Sequence, residues 1–218
     1  RYISLLLLSV FLSLAIAQEE YNYMDLVYQD GIFYKKFTEI PVTGKIYGIY
    51  ANYEKAYLGF IKNGKKEGKW TEWHDNGRKA VECNYKYGLL DGTWTQYSES
   101  GNKKNIRNYK KHVSHGKQIS FRKDGKKQLE EEYVDDYIVS YAIWYKNGNK
   151  KAEKYFTPYT TKSVLFYDYP DENIDGVFSL WYENGQQKFE RHYKNGLLHG
   201  SRKSWYENGQ MEGISNWI

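Results

Sequence analysis

"WYENGQQKFERHYKNGLLHG" runs from Trp181 to Gly200, and four residues later "WYENGQ" is spelled again from Trp205 to Gln210, 24 positions on. A catalytic motif seldom needs a literal copy at a fixed interval. A structural unit that buries its face against copies of itself does. Aligning the chain on its turn glycines extends the pattern. Asn76-Gly77, Ser100-Gly101, Asp124-Gly125, Asn147-Gly148, Asn184-Gly185 and Asn208-Gly209 follow one another at intervals of 24, 24, 23, 37 and 24 residues. Four residues before each glycine stands an aromatic: Trp73, Tyr97, Phe121, Trp144, Trp181 and Trp205. Eight residues after each stands another: Tyr85, Tyr109, Tyr133, Phe156, Tyr193 and Trp217. In a chain that is 18% aromatic, two completely filled columns are a register and not chance.

Asn-Gly and Asp-Gly are strong hairpin signals, because a type I′ turn needs positive φ at both central residues, and these pairs are expected to make such turns. A second glycine opens the units (Gly44, Gly68, Gly92, Gly116, Gly176, Gly200), with Ser140 in its place in the unit that carries an insertion, and a second turn separates the units. That turn is clearest at Asn63-Gly64 and Asn195-Gly196, and weakens through Tyr87-Gly88 and Lys111-His112 to Asp135-Asp136. No segment sustains a 3.6-residue apolar period. The fold class is therefore all-β, an elongated antiparallel sheet of stacked β-hairpins with a period of about 24 residues. Its aromatic columns form ladders across the strands, each cross-strand pair contributing on the order of 0.2–1 kcal/mol.

Three regions depart from the template. Residues 1–17 read as a cleavable signal peptide: Arg1, an apolar run from Leu5 to Ile16, and the small-x-small end Ala15-Ile16-Ala17. That places the mature protein outside the cytoplasm, whether periplasmic, cell-surface or secreted. Residues 18–43 contain "LVYQDGIFYKKFTEIPVTG", a hairpin turning at Asp30-Gly31 and expected to cap the first edge of the array. The array itself occupies residues 44–218, with an insertion near 156–173. Its first unit has a weak turn around Tyr53 but keeps Tyr57 and Ile61 in apolar columns. The last strand has no sequence cap beyond its own charges, which leaves edge-to-edge self-association open.

Net charge is +5, or about +4 without Arg1, with both signs interspersed; no basic block suggests a nucleic-acid arm. The richest run, Lys103 to Lys111, falls inside a repeat and is expected to line an exposed strand face. The single cysteine, Cys83, lies at a strand position and reads as a small buried apolar residue, so packing alone holds the fold.

The columns resemble the variant MORN repeat, and the chain from Leu26 to Trp217 resembles YwqK-family proteins, most specifically in "DGIFYKKFTEIPVTG" (Asp30 to Gly44) and in the repeated "YENGQ". The resemblance implies a twisted sheet of stacked hairpins. It also implies the label attached to that family, the antitoxin of a toxin–antitoxin pair, which neutralises a partner protein by binding it. It carries no catalytic residues.

The sequence itself offers little chemistry. GxSxG, HExxH, CxxC and Walker-type loops are missing. His115 and His199 precede unit-opening glycines in a slot that also takes Glu67, Asp91 and Asp175, which makes it a turn position. His112 and His115 have no third ligand in view, and Asp168, Asp171, Asn173 and Asp175 fit no calcium-loop spacing. No metal, cofactor or enzymatic activity is expected. The function expected is binding of a partner protein through the sheet face, an edge or the inserted loop; a glycan or envelope-lipid surface is the alternative. Insertions in repeats map to loops, often on the working face. The candidate partner-binding residues are accordingly Trp144, Tyr145, Tyr159, Phe166, Tyr167 and Asp168, in and beside the insertion.

Overall fold

The computed structural model describes residues 19–49, 54–158 and 174–218. Apart from one 3₁₀ turn at Tyr23–Asp25, its regular structure is all strand. A short β1 (Glu20–Asn22) precedes the hairpin of β2 (Leu26–Gln29) and β3 (Ile32–Lys35). The array follows as β4 (Gly44–Ile49), β5 (Lys55–Lys62), β6 (Lys65–Trp73), β7 (Lys79–Lys86), β8 (Leu89–Leu90), β9 (Gly92–Tyr97) and β10 (Lys103–Lys110). It continues as β11 (Val113–Ser114), β12 (Gly116–Phe121), β13 (Lys127–Val134), β14 (Tyr137–Trp144) and β15 (Lys150–Phe156). The last strands are β16 (Ile174–Trp181), β17 (Gln187–Lys194), β18 (Leu197–Trp205) and β19 (Met211–Trp217). From β4 onward every strand pairs antiparallel with the next, β8–β9 and β11–β12 each acting as one strand broken at Asp91 and His115. The result is a single meander.

The two kinds of turn exchange the roles expected of them. The two-residue loops between units have positive φ at both positions, as a type I′ turn requires: Asn63 (49°) and Gly64 (74°), Asn195 (51°) and Gly196 (78°). The same holds where glycine is missing, at Lys111 (51°) and His112 (71°) and at Asp135 (50°) and Asp136 (67°). At the repeated Asn-Gly turns, by contrast, only the glycine is left-handed, Gly77 at 77° and Gly185 at 89°. There His74 N–H donates to the Arg78 carbonyl (2.8 Å) and Gly77 N–H donates to the His74 carbonyl (2.9 Å), a type I turn closed by a left-handed glycine. The expected type I′ geometry is wrong at these positions because the loop is longer than two residues, so asparagine keeps negative φ.

That asparagine has a different task. Asn184 Oδ1 accepts from Gln186 N–H (2.9 Å), while its Nδ2 donates to the Glu207 carbonyl in the next unit's turn (2.7 Å). Asn76 reaches Glu99 and Asn147 reaches Glu183 in the same way. Tyr145 and Tyr182 hydroxyls donate to the Trp181 (2.9 Å) and Trp205 (3.0 Å) carbonyls. The other side of the sheet is stitched as regularly. The second residue of each type I′ turn donates its N–H to the carbonyl 22 positions earlier: Gly64 to Val42, Gly88 to Lys66, His112 to Leu90, Asp136 to Ser114 and Gly196 to Ile174. The slot before the unit-opening glycine supplies acceptors to the following turn, Thr43 Oγ1 for Asn63 N–H and Glu67 Oε2 for Tyr87 N–H. The slot is structural, as its residue types suggested.

The β2–β3 hairpin does form around Asp30-Gly31 but does not cover the sheet's first edge; β1 does, pairing parallel with β4 from Glu20↔Lys45 to Asn22↔Tyr47. The hairpin sits on the first inter-unit turn, Phe33 N–H donating to the Gly64 carbonyl (2.8 Å) and Val42 N–H to the Phe33 carbonyl (3.0 Å).

Cross-strand partners share a face, so the pairings sort the side chains. One face carries two apolar clusters. The first gathers Phe33, Val42, Ile46, Ile61, Trp70 and Cys83; the second gathers Ile138, Tyr141, Ala152, Phe156, Ile174, Phe178 and Tyr193. Cys83 is buried as expected, and burial pushes its thiol up to about 11. Ile61 is fully buried, but Tyr57 is half exposed and lies outside the core. Gly59 is open to the Trp70 indole: a Cβ there would come within 2.4 Å of the ring. The opposite face is lined by Lys–Glu pairs three residues apart, Lys79–Glu82, Lys127–Glu130 and Lys150–Glu153.

Candidate binding surface

Between the two clusters the cored face turns polar. One cross-strand row runs Val81↔Gln96↔Asn105↔Ser120↔Leu129↔Ile143. Val81 leans on the first cluster and Leu129 and Ile143 on the second, leaving three polar residues between. They are bonded to one another: Asn105 Nδ2 donates to Gln96 Oε1 (2.8 Å) and Ser120 Oγ donates to Asn105 Oδ1 (2.8 Å).

Two adjoining hollows lie over this row. The first, about 820 Å³, is lined by Val81 and Gln96 of that row, by Lys103, Lys104, Arg122 and Lys123 on its basic side, and by Glu72 on β6 and Glu99 in the β9–β10 turn. The second, about 470 Å³, shares Lys104, Phe121 and Arg122 and continues past Leu129 and Ile143 to Trp144 and Lys151. Arg122 Nη2 donates to the Trp144 carbonyl (2.6 Å), but its Nε is buried without a partner, as is Gln118 Nε2 in the neighbouring row.

The electrostatics are local. Residues 103–127 hold eight Lys and two Arg against one Asp, a net +9 in a chain of +5, so the remainder carries −4. The reason is visible in the register. Glu82, Glu130, Glu153 and Glu190 recur on the opposite face, in the row that also contains Thr95 and Ile106. Lys103 stands where Lys79, Lys127 and Lys150 stand in their units, but the residue three further on is Ile106, not glutamate. Without that carboxylate Lys103 lines the hollow, and among the described residues Lys103, Lys104, Arg122 and Lys123 make no ion pair.

The residues predicted from sequence divide. Trp144 lines the second hollow, with Lys127 Nζ 4.8 Å from its ring centre. Tyr145 is a rung residue, its hydroxyl committed to the Trp181 carbonyl. Tyr159, Phe166, Tyr167 and Asp168 lie outside the described residues. Trp144 and the insertion do not leave the sheet at the same end, contrary to the expectation that they are neighbours. Phe156 pairs directly with Ile174, so residues 157–173 replace an inter-unit turn, whereas Trp144 flanks an Asn-Gly turn about 20 Å away along the strands. Sequence reading missed Gln96, Asn105, Ser120, Lys104, Arg122 and Lys123. The missing glutamate at Ile106 was the available signal.

Of the two histidines between β10 and β12, His112 stacks on Tyr109 and His115 Nδ1 faces Asp135 Oδ1 at 3.5 Å. Among the described residues no three His, Cys, Asp or Glu side chains gather closely enough to hold a metal ion.

These features define an all-β repeat protein of stacked hairpins with a hollowed face. Four of its segments, residues 66–87, 90–111, 174–195 and 198–218, match the MORN repeat variant family. No curated protein matches the chain. Between the matched segments, residues 112–158 keep the same glycine turns and aromatic columns.

Proposed function

We propose that this chain is an exported, non-enzymatic repeat protein that binds a partner protein across the hollowed face between its two apolar clusters. The observation that carries the reading is the pair of adjoining hollows over Gln96, Asn105 and Ser120, lined by the aromatic residues Phe121 and Trp144 and by the basic residues Lys103, Lys104, Arg122 and Lys123. A packed β-repeat offers a rigid surface whose binding loses little conformational freedom. The apolar run from Leu5 to Ile16 supports export, and the resemblance to YwqK-family proteins supports an antitoxin- or immunity-like role, neutralisation by occupancy.

The test is photo-crosslinking from Gln96 and Trp144 in the exported fraction of the native cells. It is run with the full chain and with a chain in which residues 157–173 are replaced by Lys-Asn-Gly-Leu, the sequence that would restore an inter-unit turn between Phe156 and Ile174. One protein captured at both positions by both chains is the expected result. A folded bait that captures no protein would sink the reading in favour of a glycan or lipid surface.

A further inference from the structure

The geometry points to an acidic, extended polypeptide segment as the occupant of this groove; the inference rests on the protein-binding reading and specifies its chemistry. From Val81 on β7 to Ile143 on β14 the floor crosses six strands. Five inter-strand spacings are roughly 24 Å, the length of about seven extended residues. The basic wall is concentrated on one side of that path, in Lys103, Lys104, Arg122 and Lys123, and Lys151 continues it beside Trp144. Glu72 on β6 and Glu99 in the β9–β10 turn are the two acidic residues among the lining.

On the opposite face several lysines pair with glutamates: Lys69 and Lys79 with Glu82, Lys117 and Lys127 with Glu130, Lys203 with Glu190. The third unit replaces that glutamate with Ile106, as the last unit does with Ile214, and in the third unit Lys103 lines a hollow without an ion pair among the described residues. Arg122 is pinned in place through Nη2 to the Trp144 carbonyl. Fixed guanidinium and mobile ammonium groups along one wall, above an amide floor, match carboxylates spaced along a chain whose backbone meets Gln96 and Asn105.

The probe is a fluorescein-labelled twelve-residue peptide alternating Glu and Ser, followed by anisotropy with the folded chain from residue 18 onward. A Gln-Ser peptide of equal length and vesicles of mixed phosphatidylcholine and phosphatidylserine run beside it. The expected result is saturable binding of the Glu peptide only, weakening steeply with salt. The triple variant Lys103→Gln, Lys104→Gln, Lys123→Gln, all exposed positions, should bind about tenfold more weakly. The charge-matched triple Lys69→Gln, Lys117→Gln, Lys203→Gln, on the other face, should bind as the parent does. Equal loss in both triples, no binding of the Glu peptide, or vesicle binding that competes through Lys103, Lys104 and Lys123 would each overturn the inference. A partner crosslinked at Trp144 but indifferent to the first triple would leave the protein-binding reading standing and remove this one.

Discussion

The recurring asparagine of the "YENGQ" turns joins one unit to the next through a single side-chain amide. Asn184 uses its oxygen inside its own turn and its nitrogen on the Glu207 carbonyl. Aspartate would keep the first contact and lose the second, placing a carboxylate against a carbonyl oxygen. Asn184→Asp should therefore lower the urea midpoint at neutral pH, by about 1–2 kcal/mol of stability, and lowering the pH to protonate the new carboxyl should recover part of it. A variant indistinguishable from the parent would show that the bridge contributes nothing in solution. The natural exception fits: Asp124 takes the position in one unit, and Lys126 Nζ reaches the Asn147 carbonyl (3.0 Å) in its place. The buried acids give a pH test. Burial pushes the Cys83 thiol from 9.0 to about 11 and the Tyr85 and Tyr133 hydroxyls from 10.0 to about 12. The unfolded chain thus releases these protons first. Stability from this source is complete below about pH 9 and falls through about 11 for the thiol, then through about 12 for the tyrosines. In Cys83→Ala the decline between pH 9 and 11 should be shallower, read as urea midpoints; parallel curves would refute the assignment.

At the scale of the hairpin, the type I′ turns keep their geometry after losing their glycines. His112 is held at φ 71° beside Lys111 at 51°. A left-handed non-glycine residue costs roughly 1–2 kcal/mol. The stack of His112 on Tyr109 offsets some of that, so His112→Gly should raise the melting temperature by about 2–4 °C. A lower melting temperature would mean that the stack outweighs the strain. Much of the hairpin order was legible in the sequence, because glycine spacing and paired aromatic columns follow directly from strand length and turn chemistry. The assignment of turn types was not, since a dipeptide does not reveal whether its loop has two residues or more. Nor was the parallel β1 edge, whose three residues Glu20–Asn22 carry no alternation. The groove was the least legible part. Gln96, Asn105 and Ser120 lie 9 and 15 residues apart and meet only through the register of three strands.

At the scale of the molecule, the polar row divides the apolar core in two. Stability in a repeat array is approximately a sum of unit terms and nearest-neighbour terms, so a weak interface lets the two sides open separately. Here the weak interface lies between the cluster around Trp70 and Cys83 and the cluster around Phe178, where hydrogen-bonded amides replace apolar contact. Phe178 is fully buried, meets Phe189 edge-to-face at 5.1 Å, and lies under the Lys154 ammonium. Phe178→Ala should cost about 3–5 kcal/mol, felt on its own side of the divide. Cys83 reports the other side, because its buried thiol becomes reactive to a disulfide reagent only when the first cluster opens. In a urea titration of Phe178→Ala, strand circular dichroism should fall in two steps while the midpoint of Cys83 labelling stays at its parental value. A single transition shared by both probes would mean that the hydrogen-bonded row couples the halves as firmly as apolar packing would. The groove would then be a rigid platform and not a seam between two independently stable bodies.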